Sequence, residues 1–421
     1  MVFDAFSSAN QAVMITVFLV AALFGIVANK TNFCTMGAIS DLVNMGESSR
    51  MRSWILAMAI AIIGVIILEA SGTASVDVSR PPYRSSSFIW LEYILGGLIF
   101  GVGMTLGSGC GNTTLIRLGG GNLKSIIVFS MIAISSYFML NPFPGTDKTL
   151  YSELFYYWMS PLAISLTSQQ DLGSVLGGIF GTDALSTRIW VGGILATLML
   201  VAVFSSSKFR KRKDSILAGT VVGLCILAGW YVTTDMVTIS MEGDTYSWVQ
   251  FASTDVWGML ADGPQPRAVA VQSFTFINPT GETLGFLLNK FNPHYLTFGV
   301  VAVFGMISGS FILAVVAGKF RVEWFATFKD FISHVIGGIL MGIGGVLAMG
   351  CTIGQGITGV STLAMGSFLA LFSIMIACAM TMKFQFYKMM YESEATIFKI
   401  FLTALVDFRV LPEKMRKLDS V

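Results

Sequence analysis

Apolar residues run in long blocks along this chain, separated by polar connections, near residues 11–28, 53–71, 91–108, 123–141, 189–206, 215–234, 295–317, 334–350 and 366–382. Each block approaches the about 20 residues that carry an α-helix across a bilayer's hydrocarbon core. The pattern predicts an all-α polytopic membrane protein of about nine transmembrane helices. Two connections, 142–188 and 235–294, are long and contain apolar pieces, Leu150 to Leu166 and Ser273 to Leu288. Such pieces predict short or re-entrant helices buried in protein, where non-helical backbone is tolerated. In the second piece, FTFINPTGETLGFLL, Pro279 and Gly281 interrupt two short apolar runs. The stretch after Cys351, TIGQGITGVSTLAMG, is too polar and glycine-rich to face lipid and is expected to dip back into the protein.

Composition strengthens this reading. The chain is 54% hydrophobic and 12% charged, against about a quarter charged in a soluble protein. A net charge of +2 leaves no footprint for nucleic acid. The first apolar block has no basic segment before it and no small-residue cleavage pattern after it, so it reads as a retained helix and not a signal peptide. Alternating crossings from an outer N-terminus put 20 of the 26 Lys and Arg on the inner side. That bias predicts a cytoplasmic C-terminus, including the tail 383–421.

Within this frame one pattern occurs twice. GGLIFGVGMTLGSGC (Gly96 to Cys110) and GGILMGIGGVLAMGC (Gly337 to Cys351) align without a gap, and each ends in Gly-Cys. The first lies on an inward span and the second on an outward one. This predicts an inverted repeat, with residues 1–206 as one half and 207–382 as the other, meeting near the bilayer midplane. A weaker match between Ala22 to Cys34 and Ala302 to Ala314 is read as continuing the symmetry, with Ala314 in place of the thiol.

Cys34 closes a third segment of the same kind. The candidate site is therefore Cys34, Cys110 and Cys351, supported by Gly109, Gly111, Gly350, Thr35 and Thr352, with Arg117 nearby. Glycine lets a helix stop within the membrane, and the helices that follow turn the positive ends of their dipoles toward the same point. Such a place favours an anion, and polarizable thiols favour one with a soft sulfur or selenium atom. A lone cysteine is usually a small buried hydrophobe, which is the reading for Cys225 and Cys378 in mid-span. Three at equivalent positions argue otherwise. Lys30 and Arg117 read first as positive-inside anchors, and Glu69 as a snorkelling side chain or part of a proton path. The chain lacks a Cys-x-x-Cys pair, its two histidines are far from such a motif, and no nucleotide-binding motif is present; no metal, cofactor or ATP coupling is expected.

GGLIFGVGMTLGSGCGNTTLIRLGGG, GGILMGIGGVLAMGCTIGQG and the early NFCTMGAISDL resemble the three cysteine motifs of the YeeE/YedE family of bacterial inner-membrane transporters for sulfur compounds. FTFINPTGETLGFLL resembles that family's segment before the second repeat. The resemblance implies inner-membrane uptake of thiosulfate, with Cys34, Cys110 and Cys351 handing the ion along by S–H···S hydrogen bonds. It leaves open selenium or other reduced sulfur species, and a cytoplasmic sulfur-carrier or rhodanese-like partner. Two other classes compete: a membrane-embedded sulfurtransferase or disulfide oxidoreductase, and an assembly subunit with incidental cysteines. The enzyme would need a low-pKa thiol beside a resolving cysteine or a histidine, and no such pair stands in the sequence.

Overall fold

The structure is a computed structural model that describes residues 1–418 except 235, 242, 262 and 392–395. Its helices of nine residues or more are α1 (Phe6–Thr31), α2 (Thr35–Met45), α3 (Ser49–Ala70), α4 (Trp90–Leu106), α5 (Gly111–Gly119), α6 (Lys124–Leu140), α7 (Leu172–Phe180), α8 (Ala184–Phe204), α9 (Lys213–Thr234), α10 (Ile277–Leu288), α11 (Phe298–Val316), α12 (Phe328–Leu347), α13 (Met365–Tyr391) and α14 (Ile397–Asp407). All nine apolar blocks are helices. Eight spans among the described residues are long and apolar enough to cross a membrane, and α6, at 17 residues, is the shorter ninth. The fold is an all-α polytopic membrane protein. Strand content is slight: β1 (Val2–Phe3) pairs parallel with β4 (Thr238–Met241), which pairs with β5 (Asp244–Ser247), and β2 (Ser87–Phe88) pairs with β3 (Ile164–Ser165).

The centre of the molecule is the crossing of α4 and α12. A side chain added at Gly103 would stand 2.7 Å from the Met341 nitrogen, and one at Gly344 would stand 2.5 Å from the Phe100 nitrogen. Gly96 faces Gly344 and Ala348, and Gly337 faces Gly103 and Gly107, so the two helices run antiparallel with main chain against main chain. Only glycine permits that approach in a bilayer, where helices associate by close packing and not by expelling water.

Around this crossing the packing is paired. α1 packs on α11 as α9 packs on α3; α4 packs on α13 as α12 packs on α6; α2 lies against α3 and α13 as α10 lies against α11 and α6. The pattern matches α1 to α9, α2 to α10, α3 to α11, α4 to α12 and α6 to α13, while α8 stands outside it on α3 and α7 packs on α8. The weaker sequence match finds a different setting here. α1 and α11, the helices of the weaker match, pack parallel, with Gly305 against Ala21, Gly309 against Ala22 and Gly25 against Met306 and Ser310. The likeness of their sequences is that of two faces packed on each other, each needing small residues, and not of inverted mates.

The second long connection holds the helix expected of it, α10. In the first, the piece Leu150 to Leu166 is helical over 150–162, π-helical over Ser152–Tyr156, but is largely exposed and not buried, and α7 lies beyond it. Pro279 does not divide α10. It stands third in the helix, in the first turn, where its missing N–H would have had no partner. The stretch after Cys351 is helical over 352–361 with a π-helical centre, Gly354–Gly359, and is wholly buried. Residues 383–421 are not a featureless tail: α13 extends to Tyr391 and α14 follows, while 392–395 and 419–421 lie outside the described residues.

Glu69 neither snorkels nor stands alone. It is buried against Arg84, which also reaches Asp77 at 3.0 Å and the Thr362 carbonyl at 3.1 Å. Arg188 pairs with Asp77 at 3.1 Å and with fully buried Asp171 at 3.0 Å. Burial acts to raise the Asp77 carboxyl, but Arg188 and Arg84 outweigh it and hold it below its ordinary value. For Asp171 burial is likewise outweighed, chiefly by the Arg188 hydrogen bond and the Arg84 charge. This cluster ties the 71–89 connection and the start of α8 to the turn that ends the Cys351 segment.

Candidate functional site

The three thiols occupy the same position in the same backbone turn. Asn32, Ser108 and Met349 each adopt a left-handed conformation, with φ of 51°, 58° and 57°. The next amide in each case, Phe33, Gly109 or Gly350, closes the preceding helix by bonding five residues back, to the carbonyls of Ala28, Met104 and Gly345. The cysteine follows, and its carbonyl accepts the first bond of a new helix, from Ala38 at 3.0 Å, Thr114 at 2.9 Å and Gln355 at 2.7 Å. Each cysteine thus takes the position that opens a helix at the point where another has just ended. Asn tolerates the left-handed turn; Ser108 and Met349 are strained there, a state that persists only where the surroundings enforce it.

Two of the sulfurs accept a cap hydrogen bond, Cys34 from the Gly37 amide and Cys351 from the Gly354 amide, each at 3.4 Å. The third stands 3.5 Å from the hydroxyl of Thr113, which donates to Cys34 at 3.1 Å. Thr113 therefore bridges Cys110 and Cys34. Cys110 also lies within electrostatic reach of both Cys34 and Cys351. Ile277 at the start of α10 packs against both Gly111 and Gly345. Cys110 and Cys351 are fully buried, and Cys34 is half-buried.

Two cavities approach this line from opposite ends of α11. One, of about 810 Å³, is lined by Cys34, Thr113, Arg117, Arg50, Lys319 and Arg321 among others, and lies past the C-terminal end of α11. The other, of about 260 Å³, includes Phe298 at the start of α11, with Arg80, Gln272, Thr275, Asn278 and Met349. They share no lining residue, and buried Cys110 and Cys351 stand between them. The larger mouth is basic. Arg50 is paired with Asp41 at 2.6 Å, while Arg117 donates to the Ser108 carbonyl at 2.5 Å, bracing the left-handed turn before Cys110.

The polar side chains beside the thiols are poised for a guest. Thr35, Asn112 and Thr352 are buried, and their side-chain oxygens, with the Asn112 amide nitrogen, meet no hydrogen-bonding partner. Buried polar atoms are normally paired, so three such residues next to three thiols are the mark of a place where a polar species stops. Asn112 was missed in the motif reading. Its signal is an amide side chain directly after Gly-Cys-Gly.

Other expectations divide. Arg117 reaches the site, whereas Lys30 is exposed and lines neither cavity. Cys225 sits 3.8 Å from the Val20 carbonyl, and Cys378 accepts from Thr105 at 3.4 Å; both are packing residues between helices. All five cysteines are free thiols.

A family model described as sulphur transport matches residues 30–380, which enclose all three thiol turns. The chain is similar to the thiosulfate transporter TsuA of Escherichia coli strain K12, 27% identical over 341 residues that cover 80% of this chain and 84% of that protein. It is similar also to the thiosulfate transporter TsuA of Spirochaeta thermophila, 24% identical over 366 residues that cover 84% of this chain and 93% of that protein.

Proposed function

This chain belongs to the sulphur transport family, and from that premise we propose that it carries thiosulfate across the bacterial inner membrane along Cys351, Cys110 and Cys34. The observation that carries this reading is the threefold recurrence of one turn, each placing a thiol at a helix start, in series between two cavities.

The ion enters the smaller cavity and its terminal sulfur accepts a hydrogen bond from Cys351, passes to Cys110, and leaves through Thr113 and Cys34 into the basic mouth. The thiols act as neutral donors. A thiolate would repel the anion and would be costly to bury at membrane depth. Helix N-termini behind each thiol supply partial positive charge without a fixed cation that would trap the ion. Gly109, Gly111 and Gly350 let the backbone come close, and Thr35, Asn112 and Thr352 offer hydrogen bonds to the oxygens.

The excess of basic residues on one side supports a topology with the larger mouth, the C-terminus and α14 in the cytoplasm and the N-terminus in the periplasm. The paired packing supports two inverted halves, α1–α6 within residues 1–206 and α9–α13 in the half that begins at 207, with α13 running on past 382 to Tyr391. A soluble sulfur-carrier or rhodanese-like protein would then receive the ion at the basic mouth.

The test is uptake of radiolabelled thiosulfate by cells lacking their own sulfate and thiosulfate importers, with the intact chain or Cys34→Ala, Cys110→Ala and Cys351→Ala at equal membrane abundance. Uptake by the intact chain and its loss in each variant is expected. Uptake that survives all three replacements together removes the thiol relay, and none by the intact chain removes thiosulfate and turns attention to selenium compounds.

A further inference from the structure

The packing pattern that matches α2 to α10 also gives Cys34 a counterpart. Cys34 follows buried Phe33 and takes the cap position of α2, and Thr275 follows buried Phe274 one residue before Phe276, the cap of α10. α2 leans on α3 and α13, and α10 on α11 and α6, so the two short segments hold corresponding places. Cys34 lines the larger cavity and Thr275 the smaller. The correspondence is one of place and not of register, and it sets a thiol at one mouth and a hydroxyl at the other.

The Thr275 hydroxyl stands 3.9 Å from the Cys351 sulfur, and its side chain is buried. Gly354 makes this approach available, since a side chain there would stand 2.8 Å from the Thr275 Cβ. The same glycine's amide holds the Cys351 sulfur. Asn278, three residues on, lines the same cavity, and its buried side-chain oxygen has no partner. A space of about 260 Å³ holds a five-atom anion with several waters.

Resting on the reading above, we infer that Thr275 is the entry station of the path and sets its selectivity, pairing with Cys351 to read the two unlike ends of a sulfur–sulfonate anion. The sulfonate oxygens accept from the Thr275 O–H, and the terminal sulfur accepts from the Cys351 S–H. A hydroxyl is a strong donor to oxygen, whereas a thiol is a weak, polarizable one suited to sulfur. An anion with four oxygens sets one of them against the thiol, and a bare hydrosulfide leaves the hydroxyl without an oxygen to bind. The pair also orients the ion, with sulfur leading toward Cys110.

The full chain, reconstituted in proteoliposomes, is tested by initial rates of thiosulfate uptake for wild type, Thr275→Val, Thr275→Ser and Thr275→Cys, with hydrosulfide and sulfate as competitors. Valine keeps the shape and removes the hydroxyl. Its KM is expected to rise about 10-fold or more, the loss of one hydrogen bond to a charged group, with a smaller change in maximal rate and stronger competition by hydrosulfide. Serine is expected to stay within about twofold of wild type, and cysteine to fall between; those two variants decide the matter even where valine disturbs folding in a melting assay. A valine variant with wild-type KM and competition, or a serine variant as impaired as valine, overturns this inference while wild-type uptake leaves the thiosulfate reading standing. Absence of uptake by the wild type overturns both.

Discussion

Gly344→Ala puts a methyl group where α4 and α12 touch. The added carbon would lie 2.5 Å from the Phe100 nitrogen and 2.7 Å from the Gly96 oxygen, and ordinary contact begins near 3.4 Å. The helices must therefore part by about 0.9 Å. Both obstacles are main-chain atoms, which cannot swing aside as a side chain can. Overpacking of this kind costs about 1–3 kcal/mol, and the better helix propensity of alanine returns about 1 kcal/mol. Taking the upper end because the contact is rigid, the net loss is about 2 kcal/mol. Function should suffer more than stability. Gly344 stands seven residues before Cys351, and Gly103 seven before Cys110, so the separation is delivered to the spacing of the two central thiols. A misplacement near 1 Å costs an oriented transfer up to about 100-fold, and uptake is expected to fall about 10- to 100-fold. Gly193→Ala in α8 is the control, since a side chain there meets nothing within 4 Å; it should melt at or above wild type and carry normally. Thermal melting in detergent and proteoliposome uptake measure the two effects. A Gly344→Ala protein that melts and transports as Gly193→Ala does would refute the argument that main-chain contact at this crossing positions the thiols.

Three further predictions follow from named contacts. Thr113→Val removes the hydroxyl between Cys110 and Cys34 and should slow uptake about 10-fold or more, with Thr113→Ser near wild type; equal rates for both would contradict the bridge. Asn112→Leu should raise the melting temperature, because it removes two buried unpartnered polar atoms, and should lower uptake in the same protein; a variant neither more stable nor less active counts against a waiting polar site. Asp77 and Asp171 have carboxyls held below their ordinary value. Their contribution is whole above the unfolded value near about 4 and is lost as pH falls through the folded one. Melting temperature should accordingly be indifferent to these two groups between pH 5 and 7 and should drop below about pH 4, with a shallower drop in Asp171→Asn; parallel acid profiles would argue against it.

Much of the fold was legible along the chain. Apolar length alone marks a span in a bilayer, because backbone polar groups must be satisfied within the segment, and all nine blocks are helices. The Gly-Cys pairs were legible for a similar reason: a glycine run and a thiol at a helix end are local features, and the family match encloses them. Pro279 was misread as an interruption because its effect depends on where the helix begins, and that is set by Phe276 taking the cap position against the packed core. The likeness of α1 and α11 misled in the same way, since small residues serve parallel neighbours as well as inverted mates.

The sequence by itself determined the membrane class, the places where helices stop and the three thiols that stand there, since each depends on residues within a turn or two of one another. The tertiary structure decided what those thiols face. Thr113 meets Cys34 across 79 residues of chain, Thr275 meets Cys351 across 76, and Arg188 reaches Glu69 from 119 residues away. No local pattern encodes such meetings, because they exist only once glycine-lined helices have packed main chain to main chain and brought distant turns to one line.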